Sequence, residues 1–180
     1  MLTYKEIEQK LNSINRPDIV MSSAIEHTDF LLTFVNDLKP NGIIEIGTYN
    51  GISTAVFASI TNHVYTYDIA YRGAEFILNL FGVREKVSLC VAPQEQIDFE
   101  LNVLQTCWGG YWKDKLAFDL AFIDGNHTYE SVKHDFELVK FTKRVLFHDV
   151  NYEPIKKFVV DELNVKILSF EGNFGYWEAE

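Results

Sequence analysis

The chain has 180 residues, enough for one domain with a substantial core, and its 47% hydrophobic and 14% aromatic content excludes a disordered chain. A formal net charge of −10 without a cluster of Lys or Arg disfavours nucleic acid as a partner, because phosphate binding is carried by those residues. No apolar run reaches the ~18 residues of a membrane span. The start, Met1-Leu2-Thr3-Tyr4-Lys5-Glu6, lacks the basic and apolar parts of a signal peptide. Cys90 and Cys107 read as reduced thiols, so the expectation is a cytoplasmic protein that handles a small molecule.

Residues 3–12 pattern as a short helix with Tyr4, Ile7 and Leu11 on one face, and Pro17 breaks it. A longer helix is expected over 20–38, with Ile25, Phe30, Leu31, Phe34, Val35 and Leu38 as its apolar face. His27 falls within it and reads as a surface or packing residue. Lys39-Pro40-Asn41-Gly42 ends that helix with turn chemistry. Ile43, Ile44 and Ile46 then form a β-branched run suited to a parallel strand buried on both faces. Gly47 and Gly51 bracket a sharp turn, and a helix over 51–62 follows. His63–Asp68 is a second strand ending in an acid, 73–81 a helix, and Lys86–Val91 a third strand.

Residues 94–107 pattern as a helix, and Trp108-Gly109-Gly110-Tyr111-Trp112-Lys113 as an aromatic loop. Phe118–Asp124 is a fourth strand, 129–141 a helix, Arg144–Asp149 a fifth strand and 153–163 a helix. Val165–Phe170 and Phe174–Ala179 close the chain as an antiparallel pair around Glu171-Gly172-Asn173. Strands alternating with helices imply a single domain over 1–180, with N-terminal helices over 1–39 and an α/β core over 40–180. The expected architecture is Rossmann-like and doubly wound: seven strands, mostly parallel, an antiparallel C-terminal hairpin strand, and helices on both faces.

The strand–turn–helix at 42–60 is a natural ligand site, because a helix N-terminus faces the strand end. Its glycines are spaced E-x-G-x-x-x-G, and Tyr49 stands where a dinucleotide fingerprint has its second glycine. The backbone therefore cannot approach a pyrophosphate there, and the adjacent Glu45 suits a cationic ligand better than an anionic one. Asp68 follows Gly47 by 21 positions, the spacing at which an acid accepts hydrogen bonds from ribose hydroxyls.

This motif resembles the first motif of the class I S-adenosylmethionine (SAM) methyltransferases, and the strand order extends that resemblance over most of residues 40–180. Phe122-Ile123-Asp124-Gly125-Asn126-His127-Thr128-Tyr129 with Phe147-His148-Asp149 resembles the branch of small-molecule O-methyltransferases, many of them metal-dependent. The resemblance implies a cofactor site from Glu45, Gly47, Thr48, Tyr49, Gly51, Ser53, Asp68, Gln94 and Asp124. Gln94 would border the adenine ring.

Asp124 and Asp149, at neighbouring strand ends, would hold a divalent metal, Mg²⁺ being the expected ion. The catechol-type enzymes carry an amide directly after the second acid. Here that position is Val150, so the third ligand is open between His148, Asn151 and water. His127, where the resembling enzymes carry Lys or His, would be the general base. The acceptor is a hydroxylated small molecule. Its pocket would come from the N-terminal helices, the aromatic loop, or a second subunit of a homo-oligomer. Two alternatives stay open, a SAM-binding module without catalysis and a nucleotide-dependent oxidoreductase.

Overall fold

The computed structural model describes residues 3–14, 27–107, 118–168 and 173–179. Helix α1 (Tyr4–Asn12) starts at a capping box: Thr3 Oγ1 accepts from the Glu6 backbone N–H, and the Glu6 carboxylate accepts from the Thr3 N–H at 2.8 Å. Helix α2 (Thr28–Leu38) ends where Lys39 enters the left-handed region. The remaining order is β1 (Gly42–Ile46), α3 (Ile52–Ile60), β2 (His63–Asp68), α4 (Ala74–Phe81), β3 (Val87–Val91), α5 (Gln94–Cys107), β4 (Phe118–Ile123), α6 (Tyr129–Val139), β5 (Arg144–Phe147), α7 (Glu153–Lys156), β6 (Lys166–Leu168) and β7 (Phe174–Glu178).

The seven strands form one sheet in the order β3-β2-β1-β4-β5-β7-β6. The pairs from β3 through β5 are parallel, while β7 runs antiparallel to both β5 and β6. The strand order reverses between β1 and β4, so their C-terminal ends flank a crevice. β1 is buried along its whole length, and its alternating side chains feed two cores. Ile43 packs with Leu31, Val35, Phe57 and Leu78 under α2, α3 and α4. Ile44 and Ile46 pack with Ile97, Val132, Phe136 and Val159 on the opposite face.

The expected elements are present with shifted bounds. The second helix is described only from Thr28, so its expected start at 20–26 lies outside the described residues, as do the aromatic loop at 108–113 and the hairpin turn at 171–172. The fifth strand stops at Phe147, which puts His148 and Asp149 in the loop beyond it. The helix expected over 153–163 is α-helical only through Lys156 and continues as a π-helical segment, Lys157–Glu162. Among the described residues no helix is long and apolar enough to cross a membrane.

Candidate active site

A cleft opens over the C-terminal ends of β2, β1 and β4, with Gly47, Tyr49, Asp68, Gln94 and Asp124 on its wall. Gly47 has φ +100° and donates its N–H to Tyr67 O at 2.9 Å. A Cβ there would overlap the Asp124 carbonyl oxygen and lie 2.5 Å from its carbon and 2.9 Å from Gly125 N. The closeness of the β1 and β4 ends is therefore enough by itself to demand a glycine here. Tyr49, at φ 48°, donates its N–H to Asp68 Oδ2 at 2.7 Å, and Ala70 donates to Oδ1 at 2.9 Å. These bonds fix the Asp68 carboxylate on the cleft wall with lone pairs left for further donors. Arg72 places its guanidinium 5.3 Å from the Tyr49 ring centre at the same wall.

Of the residues expected at the cofactor, Glu45, Thr48, Gly51 and Ser53 stand behind this cleft and do not line it. Glu45 is fully buried and points to the α3 side of the sheet. Its carboxylate accepts from Ser53 Oγ at 2.6 Å, Thr54 Oγ1 at 2.5 Å and Thr66 Oγ1 at 2.6 Å. Because the Thr66 proton is committed to Glu45, Thr48 Oγ1 must donate to Thr66 across their 2.6 Å contact. Glu45 thus ties β1, β2 and the first turn of α3 together and shapes the glycine turn from behind. Burial pushes its carboxyl up to about 7, against the lowering effect of the three hydroxyls. Gly51 instead abuts Ala74 at the start of α4. Gln94 lines the cleft but donates Nε2–H to Asp98 Oδ1 at 2.8 Å within its own helix.

At the β4 and β5 ends, one ligand atom each from Asp124, His127 and Asp149 falls within 4.8 Å of the others. His127 Nε2 lies 3.6 Å from Asp124 Oδ1 and 3.4 Å from Asp149 Oδ2. His148, expected as a metal ligand, is not in this set. Its ring is buried, with Nδ1 at 3.0 Å from Asp124 Oδ1 and 3.3 Å from Asp149 Oδ2, while Nε2 lies 2.7 Å from His27 Nδ1. Both of its nitrogens are thereby engaged, and the position that converges with the acids passes to His127. Asp149 adopts φ 54°, which turns the chain sharply after β5.

Burial alone would raise the Asp124 carboxyl, but the N–H groups of His127 and His148 more than offset it and hold it below its ordinary value. The hydrogen bond to Asp124 in turn raises His127. His148 is lowered by burial yet lifted overall, to about 9, by Asp124 and Asp149. A charged His148 donates from both nitrogens. His27 then carries a donor at Nε2, which lies 3.2 Å from the Asn173 amide nitrogen. Among the described residues the Asn173 side-chain oxygen is buried without a hydrogen-bond partner, and a half-turn of that amide lets it accept the His27 proton.

Two buried polar groups near the site escaped the sequence. His27 reads as packing because a single imidazole in an amphipathic helix has no pattern. Asp135 left a signal: it sits in the apolar stripe Val132, Phe136, Val139 of α6, where an acid has no reason to be unless something meets it.

The family model for a methyltransferase domain matches residues 44–150. Solved structures share the fold. A protein assigned as an O-methyltransferase from Klebsiella pneumoniae superposes with a TM-score of 0.68 at 19% identity, covering 97% of this chain and 90% of that one. The O-methyltransferase TomG from Streptomyces achromogenes, in complex with SAM, gives 0.64 at 16% identity, covering 98% and 89%. The methyltransferase PaMTH1 from Podospora anserina, bound to S-adenosylhomocysteine (SAH), gives 0.64 at 19%, covering 100% and 89%. No curated protein sequence matches the chain.

Proposed function

We propose, for a chain that belongs to the methyltransferase-domain family, that it moves a methyl group from SAM to a hydroxyl of a small molecule. The observation that carries this reading is a single edge of the sheet. There a ribose-type acid on a glycine turn, Asp68 with Gly47, stands beside a convergent acid–imidazole set, Asp124, His127 and Asp149. The similar fold in TomG and PaMTH1, which hold SAM and SAH, supports the choice of cofactor. Family membership sets aside the oxidoreductase reading.

SAM carries an already activated methyl group, so the protein has to orient the donor and relieve the acceptor of a proton. Asp68 accepts the ribose hydroxyls. The turn at Gly47 lets the methionine part lie against the β1 end, with Asp124 beside it. The two carboxylates and one imidazole within 4.8 Å of one another fit a divalent cation, which Asp124 and Asp149 would hold. Bound there, the cation would acidify the acceptor hydroxyl. With His127 left to act as base, the two carboxylates suit Mg²⁺ or Mn²⁺. His127, partly exposed beside the two acids, is the base that receives the acceptor proton.

The test is transfer of radiolabelled methyl from SAM to a panel of catechols, phenols and alcohols, with and without chelator. Label should move to at least one hydroxyl and stop in chelator. Transfer only to amines or thiols would refute the hydroxyl acceptor, and full transfer in chelator would remove the metal.

A further inference from the structure

Asp135 lines the cleft but has no part in the reaction described above. Only 5% of its surface is exposed, and it stands in the second turn of α6. Its Oδ2 lies 3.3 Å from where a Cβ on Gly125 would be, so the absence of a side chain at 125 leaves it open to the cleft. It lines the same wall as Ile97 and Gln94. Among the described residues its carboxyl makes no hydrogen bond and no ion pair. The charged groups that face it are His134 on its own helix and Asp98 on α5. These two are bound to each other at 3.0 Å. Burial pushes the Asp135 carboxyl up to about 7; His134 pulls it down and Asp98 adds to the rise. At pH 7 about half of it is a carboxylic acid and at pH 6 most of it is, offering one O–H donor beside one C=O acceptor.

We infer that Asp135 is a specificity-determining residue that reads the adenine base of SAM, an inference that rests on the SAM reading above. The methyl-bearing sulfur has to face Asp124, His127 and Asp149, and the ribose diol goes to Asp68. The base then falls toward α5 and α6, where Ile69 and Ile97 offer apolar walls to a flat ring and Asp135 is the unmatched polar group. Adenine presents an amine that donates next to a ring nitrogen that accepts. A neutral carboxyl meets that pair in the complementary order, with its C=O on the amine and its O–H on the ring nitrogen. An ionised carboxylate could serve only the amine and would face the nitrogen lone pair.

Calorimetry with SAH on the full chain, at pH 6 and pH 8.5, tests this. The wild type should bind at pH 6 and lose roughly 30-fold in affinity by pH 8.5, the ratio for a site that needs its proton and titrates near 7. Asp135→Asn, whose amide keeps the acceptor and donor side by side, should bind at both pH values alike. Asp135→Leu should lose at least tenfold at pH 6. Thermal unfolding checks that the variants fold, and the wild-type profile against Asp135→Asn decides the matter should the leucine variant not fold. Equal affinity of folded Asp135→Leu and wild type at pH 6 would overturn the inference. So would wild-type affinity that rises with pH, which marks a carboxylate paired with the cofactor's ammonium. A wild type that ignores SAH at both pH values would overturn the SAM reading itself, and this inference with it.

Discussion

Replacing Gly47 by Ala should damage the protein through its own backbone before any ligand is considered. The new Cβ would lie 2.5 Å from the Asp124 carbonyl carbon and 2.9 Å from Gly125 N, and neither is a side chain that can swing away. The β1 and β4 ends would have to part, which strains the Asp124 N–H bond to Ile46 O and the Gly47 N–H bond to Tyr67 O, both 2.9 Å. A buried backbone group left unsatisfied costs about 1–3 kcal/mol, and a side chain at positive φ adds about 1–2 kcal/mol. The sum, roughly 2–5 kcal/mol, is a large share of the ~5–15 kcal/mol that holds a domain together. For a chain of this size it lowers Tm by roughly 4–20 °C. Gly82 is the control: it also has positive φ, at +68°, but nothing lies within 4 Å of its Cβ position. Gly82→Ala should fall by only about 1–2 kcal/mol, the strain alone. Thermal unfolding of both variants without ligand is the assay. Equal Tm losses at 47 and 82 would refute the claim that the glycine is required by the strand-end contact.

Glu45→Gln should change how stability depends on pH. The folded carboxyl sits at about 7 against an ordinary 4.5, so the folded state holds its proton more tightly. Stability from this group is full below about pH 4.5 and is lost as pH rises through 7. The stability difference between wild type and variant should therefore shrink by on the order of 3 kcal/mol from pH 4.5 to pH 8, read by urea unfolding across that range; a constant difference would show that the three hydroxyls keep Glu45 ionised throughout. His127→Ala should lower turnover by ~10²–10⁴-fold and flatten the acidic limb of the pH–rate profile, leaving SAH affinity unchanged. Because Asp124 raises His127 in the ion-free protein, its imidazole should titrate above its ordinary value there, read by NMR without added cation. Loss of divalent-ion binding in the same variant, measured by calorimetry with Mn²⁺, would make His127 a ligand instead of the base.

The sheet was legible because each strand is a β-branched or aromatic run closed by turn residues, and because acids mark the strand ends. Asp68 and Asp124 follow directly from that pattern. The placement of Glu45 was not legible, for a physical reason. Strand alternation says that it shares a face with Ile43, but not that Ser53, Thr54 and Thr66 converge on that face, since this depends on how α3 docks. A motif acid beside a glycine turn then reads as facing the ligand when it braces the turn from inside. His148 and His127 could not be ranked from spacing either. Both lie within three residues of a candidate ligand, and only the turn at Asp149 together with the His27 contact decides which ring is buried. His27 is 121 residues from His148 in the chain, and no local pattern carries a contact of that span.

In the proposed function SAM lies across the β2, β1 and β4 ends with its sulfur toward the acid–imidazole set. A crystal structure of the protein grown with SAH tests it most directly. It should show the ribose hydroxyls on the Asp68 carboxylate, the homocysteine part against Gly47 and the thioether turned toward Asp124. SAH bound elsewhere, or in this cleft with its sulfur turned away from Asp124, His127 and Asp149, would contradict it.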